Sequence, residues 1–280
     1  MWTAEHRRNA SRKGFRYPSD LSDDEWCLVE PFIPPARHGG RKRHVDVREV
    51  LNSIFYVLAT GCQWSALPKD LAPKSTAHDY FIMLDRSGAL RRIHEALYIA
   101  AREQAGKEVS PTTAIIDSQS AKAAQKGGSA LDAQGYDAGK KVTGRKRHIL
   151  VDTLGLLLNV IVLPADIQDR HAAIDLLKRT RSRFPFVERI FADGGYSGAK
   201  TSAMVRSTGC WKIEIVKRSD AHRFVVLPKR WIVERTFAWI SRNRRLMREF
   251  ERYSRTAAAF VRLAMIRLML RRLTRPTGCS

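Results

Sequence analysis

The sequence predicts an α/β protein in which an all-helical N-terminal domain precedes a mixed-sheet core. Up to residue 107, apolar side chains recur at helical spacing between basic loops, which is typical of packed helices. From residue 108 onward, short β-type runs alternate with amphipathic helices, as in a mixed sheet covered by helices. We therefore place a helical domain at 1–107 and the mixed domain, with its C-terminal helices, at 108–280.

Composition limits the function classes. Hydrophobic residues make up 44% of the 280 residues, which is a globular composition, and the formal net charge is +22. Because the excess of 50 Lys and Arg over 28 Asp and Glu is spread along the chain, we expect a polyanion as partner. The four cysteines form no C-x-x-C pair, which argues against a zinc or redox site and favours a reduced, cytosolic setting. No apolar run is long enough to span a membrane, so no membrane partner is expected.

The N-terminal helices have recognisable starts and ends. Ser22 and Glu25 form the S-x-x-E capping pattern ahead of a short helix that prolines terminate. A second helix covers "VDVREVLNSIFYVLAT", with Gly61 placed to cap its end. A third helix is predicted from Ser75 or Thr76 through "HDYFIML". The first hundred residues are thus expected to be helical.

The second and third of these helices suggest a helix-turn-helix. Two helices joined by a short turn in a basic segment place the second helix in the DNA major groove. We therefore predict DNA contacts from Lys74, Thr76 and His78, at the start of the third helix. The alternative is a plain helical bundle that touches no DNA.

The mixed region begins with a strand, "PTTAIIDSQS", that we expect to end at Asp117. A glycine-punctuated basic loop, "GYDAGKKVTGRKRH", then leads into two strands joined by a hairpin at Leu154-Gly155. The following amphipathic helix, "DRHAAIDLLKRTRSRF", is expected to be capped by Asp166 or Asp169. Further along come the strand "ERIFADG", a short helix, the strand "KIEIV", a helix from Arg230 through Phe250 and a last helix from about Ser254.

Three carboxylates are candidate catalytic residues. Asp117 and Asp193 each end a predicted strand, and functional sites of open α/β sheets form beside strand ends. Glu234 lies on the helix that follows. Its apolar stripe, expected to face the core, is Val233, Phe237, Ile240 and Met247. A different face carries Arg230, Glu234, Ala238, Ser241 and Arg245.

Each carboxylate also has a purely structural explanation. Asp193 precedes two glycines and could serve a turn, and Asp117 could cap the element after it. Glu234 could pair with Arg230, although an exposed pair in this orientation contributes at most about 1 kcal/mol. Three carboxylates in one site would suit Mg²⁺, and two such ions can support an in-line displacement at phosphorus.

Basic residues near these acids are candidates for DNA phosphate contacts. The glycine-punctuated loop holds Lys140, Lys141, Arg145, Lys146 and Arg147, and the helix of Glu234 adds Arg230, Arg242 and Arg245. For any one of them, a solvated surface position is the simpler explanation.

Five stretches, in this order, resemble the DDE transposases of bacterial insertion sequences, specifically the insertion sequence five family, which is related to the insertion sequence four group. They are "IIDSQS", "GYDAGKKVTGRKRHILVDTLGLLL", "ADIQDRHAA", "FADGGYSG" and "VVLPKRWIVERTFAWISRNRRL". The N-terminal "YPSDLSDDEW" through "GCQWSALP" is also similar to that family's helical leader, so the resemblance covers nearly the whole chain.

The resemblance implies an RNase H-like catalytic core in which Asp117, Asp193 and Glu234 bind Mg²⁺ or Mn²⁺, as two ions. It implies cleavage at the ends of the element and transfer of the freed 3′-hydroxyl to target DNA. The signature around the glutamate includes Arg230, but Leu227 and Ser241 replace its tyrosine and its second basic residue, and Arg242 lies next to Ser241.

We thus expect double-stranded DNA as partner, both the terminal inverted repeats and the target. Because two cuts and two joins must be coordinated, a homodimer on DNA is expected, in the bacterial cytoplasm at the nucleoid. Two alternatives stay open: a catalytically silent DNA-binding regulator derived from a transposase, and an RNase H-like nuclease that cuts but does not join.

Overall fold

The fold was analysed in a computed structural model. The structure describes residues 12, 14–36, 39, 43–124, 132–209, 211–216 and 230–275, without the side chains of 199–201, 204 and 230. The chain divides into two compact units, one of 1–105, 243–245 and 263–280 and the other of 106–242 and 246–262. No helix in the described ranges is both long and apolar enough to cross a membrane.

Among its described residues, the first unit has four helices that precede the second unit in the chain. They are α1 (Asp23–Val29), α2 (Val47–Thr60), α3 (Lys74–Arg86) and α4 (Ala89–Gln104). Short 3₁₀ turns follow α1 at Glu30–Phe32 and precede α3 at Trp64–Ala66. The core of the unit is apolar, and its largest fully buried side chains include Leu51, Ile54, Phe55, Leu58, Phe81, Leu84, Leu90 and Ile93.

The sequence explains where α1 and α2 begin and end. At α1, the Ser22 side chain accepts a hydrogen bond from the Glu25 N–H while the Glu25 carboxylate accepts one from the Ser22 N–H, which confirms the predicted capping box. Asp46 caps α2 through the N–H groups of Arg48 and Glu49. Gly61 ends α2 in the left-handed conformation, with φ of 73°, as predicted.

The second unit is built on a six-stranded mixed sheet. Its strands are β1 (Thr113–Lys122), β2 (Gly135–Asp137), β3 (Val142–Asp152), β4 (Leu157–Pro164), β5 (Arg189–Ala192) and β6 (Lys212–Ile215). The order across the sheet is β2-β3-β1-β5-β6, and β4 also pairs with β3. β1 is antiparallel to β3 and parallel to β5, and β5 is parallel to β6.

Helices connect and follow these strands. α5 (Asp169–Arg181) joins β4 to β5, α6 (Ala199–Thr208) joins β5 to β6, and α7 (Arg230–Ser241) packs against β1. A 3₁₀ turn lies at Arg244–Leu246, and α8 (Ser254–Leu273) begins where the sequence predicted. The buried faces of the sheet are rich in Ile, Leu and Val, and the hairpin between β3 and β4 turns at Gly155 with φ of 78°.

Two strand predictions were wrong in their boundaries. β1 does not end at Asp117 but runs on to Lys122, because its antiparallel ladder with β3 continues there after the parallel ladder with β5 has stopped. The predicted basic loop is largely strand: β3 already begins at Val142, so Arg145, Lys146 and Arg147 lie within the sheet. Neighbouring strands, rather than local composition, decide both boundaries.

Two helix predictions also need correction. Gln168, and neither Asp166 nor Asp169, occupies the N-cap of α5, and its side chain makes no capping bond. The helix predicted through Phe250 ends at Ser241. Met247 therefore lies outside the helix and is 66% exposed, whereas Val233, Phe237 and Ile240 are buried as predicted. Arg245, beyond the helix end, does not share the face of Glu234.

Candidate active site

The two candidate aspartates line one narrow cleft in the second unit. The last parallel pair between β1 and β5 is Ile115 with Phe191. Asp117 lies two residues beyond that pair on β1, and Asp193 follows β5 directly. Both side chains are half-buried, and both line a cleft completed by the neighbouring residues Ile115, Ile116, Phe191, Ala192, Val216 and Val233. The sheet therefore brings two acids together that lie far apart in the sequence.

Local hydrogen bonds orient both carboxylates. Oδ1 of Asp193 accepts a bond of 2.9 Å from the Gly195 N–H and caps the 3₁₀ turn Gly194–Tyr196. Oδ1 of Asp117 accepts a bond of 2.7 Å from the N–H of Ser118. The turn role considered for Asp193 is therefore present, and it coexists with a position in the cleft.

Glu234 lies beside this cleft on α7. Its neighbour Val233 is buried and lines the cleft, whereas the Glu234 side chain is exposed. α7 packs against β1, the strand of Asp117. Arg230, the partner considered for Glu234, is the first residue of α7, but its side chain lies outside the described atoms.

The buried phenol of Tyr196 is influenced by three carboxylates at this end of the sheet. Tyr196 is 1% exposed, and its hydroxyl has no hydrogen-bond partner among the described residues. Burial, reinforced by the charges of Asp169, Asp117 and Asp193, raises the pKa of Tyr196 well above its ordinary value. Three carboxylates thus act on one side chain, which is the environment that attracts a cation.

The cleft offers oxygen ligands of the kind that a hard divalent cation binds. Asp117 and Asp193 offer carboxylate oxygens, the ligands that Mg²⁺ prefers. Within the described ranges, no three His, Cys, Asp or Glu side chains are close enough together to hold a metal. The structure therefore brings two of the three predicted ligands to one cleft and leaves Glu234 at its side.

Comparison with known families agrees with this arrangement. The family model "Transposase DDE domain" matches residues 109–270, which is more than half of the chain and contains all three candidate acids. This chain belongs to the DDE transposase family. A second model, "Putative transposase of IS4/5 family", matches residues 21–94 of the helical unit.

Two relatives of this chain come from Burkholderia cepacia. A "Putative transposase for insertion sequence element IS402" is 32% identical over 127 residues, which cover 43% of this chain and 60% of the relative. The "Insertion element IS402 uncharacterized 16.2 kDa protein" is 30% identical over 109 residues, or 37% of this chain and 73% of the relative. The chain thus spans less than two thirds of the first relative's length.

Family membership identifies the mixed sheet of the second unit as the RNase H-like core of a DDE transposase. In its sheet, β3, β1, β5 and β6 lie side by side, with β1 in the interior. The first aspartate is carried by this central strand and the second follows its parallel neighbour. The fold class predicted from the sequence is confirmed.

The positions of several basic residues differ from those predicted. Arg145 and Arg147 are 0% and 1% exposed, and their guanidinium groups donate to main-chain carbonyls: Arg145 to those of Asp132, Ala133, Glu251 and Arg252, and Arg147 to those of Leu246 and Arg248. Lys146 is 8% exposed and pairs with carboxylates. In these positions the three side chains bond to groups inside the second unit and are not on its surface.

Arg245 is also buried. It is 9% exposed in the first unit, where Nη1 donates a bond of 3.2 Å to the Cys62 carbonyl. The remaining candidates are better placed for DNA. Lys140, Lys141 and Arg242 are exposed in the second unit, and Lys74 and His78 are exposed at the start of α3 with Thr76 half-buried.

For one residue near the site, Asp169, the sequence predicted a role that the structure does not show. Asp169 was expected to cap α5, but its Oδ1 instead accepts a bond of 2.8 Å from the Ser118 hydroxyl. Its place beside Asp117 depends on the pairing of distant strands, which no local pattern indicates. Tyr196 lies within the quoted motif "FADGGYSG", so its proximity to Asp193 in sequence was the one available signal.

Proposed function

We propose that this transposase cleaves DNA at the ends of an insertion sequence and joins the freed 3′-hydroxyl to target DNA. The observation that carries the proposal is the shared cleft of Asp117 and Asp193 at the ends of the parallel ladder between β1 and β5. Two half-buried carboxylates in a chain of net charge +22 have little use in simple DNA binding, because they repel phosphate.

Asp117, Asp193 and Glu234 would hold the metal, as two Mg²⁺ or Mn²⁺ ions. When bound, such a pair of ions activates the attacking oxygen and stabilises the leaving oxygen at phosphorus. The two aspartates would be the main ligands, since they already share the cleft. Glu234, exposed on α7 beside Val233, would complete the site and orient the attacking water or 3′-hydroxyl.

The DNA partner follows from the exposed cations. Lys74, Thr76 and His78 at the start of α3 would enter the major groove of the terminal inverted repeats, because the first residues of a recognition helix contact base edges. Lys140, Lys141 and Arg242 would contact backbone phosphates near the acidic cleft. A homodimer would join both element ends to the target, in the bacterial cytoplasm at the nucleoid.

The first test is a gel assay in Mg²⁺ on DNA that carries the sequences flanking this gene. Wild type is compared with Asp193→Asn and with Asp175→Asn, which makes the same charge change at an exposed position of α5. We expect cutting and joining by wild type and by the α5 variant, and neither by Asp193→Asn.

Other outcomes separate the alternatives. Cutting without joined products would indicate an RNase H-like nuclease. DNA that is shifted but never cut by wild type would indicate a silent regulator, and the assignment of the acids as a metal site would then be wrong.

A further inference from the structure

Two serines of β1, in the second unit, each donate a hydrogen bond to a carboxylate. Ser118 and Ser120 are two residues apart, so their side chains leave the same face of the strand. The Ser118 hydroxyl donates to Asp169 at 2.8 Å, and the Ser120 hydroxyl donates to Asp137 at 2.5 Å. Both carboxylates share one cation, since Nζ of Lys146 lies 3.5 Å from Asp169 and 3.6 Å from Asp137.

Only one of the two serines reaches the candidate active site. The N–H of Ser118 donates to Oδ1 of Asp117 at 2.7 Å, while its hydroxyl is held by Asp169. A continuous chain of polar contacts therefore runs from Lys146 through Asp169 and Ser118 to Asp117. Ser120 lies farther along β1, and its bond to Asp137 meets this chain at Lys146, on the side away from Asp117.

Asp169 also approaches the turn that carries Asp193. A β-carbon added at Gly195 would lie 3.1 Å from Oδ1 of Asp193 and 3.9 Å from Oδ2 of Asp169. Gly195 thus lies between the two carboxylates. The charges of Asp169, Asp117 and Asp193 all act on the phenol of Tyr196. Asp169 is therefore close to both aspartates of the cleft, although it does not line the cleft itself.

Lys146 supplies the positive charge in this network. Its ammonium group is mostly buried and also donates to the Ile167 carbonyl at 3.3 Å, which fixes its position. His148 is nearby, with Nδ1 3.7 Å from Asp169, but neither ring nitrogen has a hydrogen-bond partner in the described part of the chain. One lysine thus balances two carboxylates, and its removal would free both.

We propose that Asp169, anchored by Lys146, is a positioning residue that holds Ser118 and thereby fixes the carboxylate of Asp117 for metal binding. The inference rests on the proposed function, because it assigns Asp117 to the metal. Residues that orient metal ligands typically change metal affinity or activity by about 10- to 100-fold when they are altered. Asp169 would act in this way without touching substrate or metal.

The test uses the symmetry of the two serine–carboxylate pairs. Ser118→Ala is compared with Ser120→Ala, and Asp169→Asn with Asp175→Asn, which makes the same charge change at an exposed position of α5. Three quantities are measured on the full chain: the Mn²⁺ dissociation constant, from the electron paramagnetic resonance signal of free Mn²⁺; the cleavage rate; and the DNA dissociation constant. Melting temperatures are measured to check that each variant is folded.

We expect Ser118→Ala and Asp169→Asn to weaken Mn²⁺ binding and slow cleavage by about 10-fold or more, with DNA affinity unchanged. Ser120→Ala and Asp175→Asn should stay within about twofold of wild type. Ser118→Thr, which keeps the hydroxyl, should restore most of the loss caused by Ser118→Ala.

Equal effects at the two serines would show that Ser118 only stabilises the strand, and would overturn the inference. So would a Ser118→Thr variant as defective as Ser118→Ala. If wild type neither binds Mn²⁺ more tightly than Asp117→Asn nor cleaves DNA, the proposed function itself fails, and the positioning role falls with it.

Discussion

Arg147 and Glu249 form a buried ion pair in the second unit, with Nη2 of the arginine 3.6 Å from Oε2 of the glutamate and both side chains 2% exposed. Burial lowers the pKa of Arg147 and raises the pKa of Glu249, while each partner's charge opposes the other's shift. The pair joins β3 to the segment between α7 and α8. It explains why an arginine that was predicted to contact DNA lies inside the core.

Arg147→Met should therefore destabilise the fold, because among the described residues it leaves the buried Glu249 with the more distant Arg145, at 3.9 Å, as its cationic partner. Breaking a buried pair by removing one partner typically costs about 3–5 kcal/mol. Urea unfolding measures the loss. Lys141→Met, at an exposed position, should change the free energy of unfolding by no more than about 0.5 kcal/mol. A stable Arg147→Met protein with weakened DNA binding would restore the original DNA assignment.

Lys140→Ala and Lys141→Ala should each weaken DNA binding without regard to sequence. Both lysines are exposed, and removing one ammonium group that binds a phosphate should reduce the slope of log affinity against log salt by about 1. Lys178→Ala, in the last turn of α5, is the control of equal charge. Binding titrations at several salt concentrations measure the slopes. The prediction is wrong if all three substitutions reduce the slope equally.

His148 should make stability fall with acid. Burial, with Lys146 and Lys140 adding to it and Asp169 opposing, lowers the pKa of His148 from 6.5 to about 4. Between pH 6.5 and about pH 4, His148 therefore binds a proton in the unfolded chain but not in the folded chain. His148 therefore does not reduce the free energy of unfolding above pH 6.5. As the pH falls from 6.5 toward 4, the free energy of unfolding decreases by about 1 kcal/mol per pH unit.

Unfolding free energies measured from pH 7 to pH 4 would test this dependence. His148→Gln should flatten the curve relative to wild type, whereas His171→Gln, at an exposed position of α5, should leave its slope unchanged. Parallel curves for wild type and His148→Gln would show that the histidine does not contribute.

Gly61→Ala should destabilise the first unit for two reasons that can be separated. The left-handed φ of 73° costs an alanine about 1–2 kcal/mol, and its β-carbon would lie 3.0 Å from the Arg244 carbonyl carbon. Gly106→Ala has only the backbone cost, because φ of Gly106 is 63° and no described atom lies within 4 Å of an added β-carbon. Thermal unfolding should show a larger loss for Gly61→Ala. Equal losses would mean that the contact at Arg244 relaxes freely.

The sequence by itself indicated a helical N-terminal region followed by a mixed sheet, the ends of α1 and α2, and the three candidate acids, but it did not indicate α4 or β2. The capping box at Ser22 and the left-handed end of α2 at Gly61 depend on residues only a few positions apart, so a local pattern is enough to predict them. Apolar periodicity likewise predicted the buried side of α7 at Val233, Phe237 and Ile240.

Tertiary structure alone decided which charges are buried and which carboxylates meet. Arg145 and Arg147 look like DNA ligands in sequence, but pairing of β3 with β1 and β4 buries them beside carbonyls contributed about a hundred residues later. Asp169 resembles a helix cap until strand pairing brings Ser118 within 2.8 Å. These outcomes depend on contacts between residues far apart in the chain, whose energies no local pattern contains.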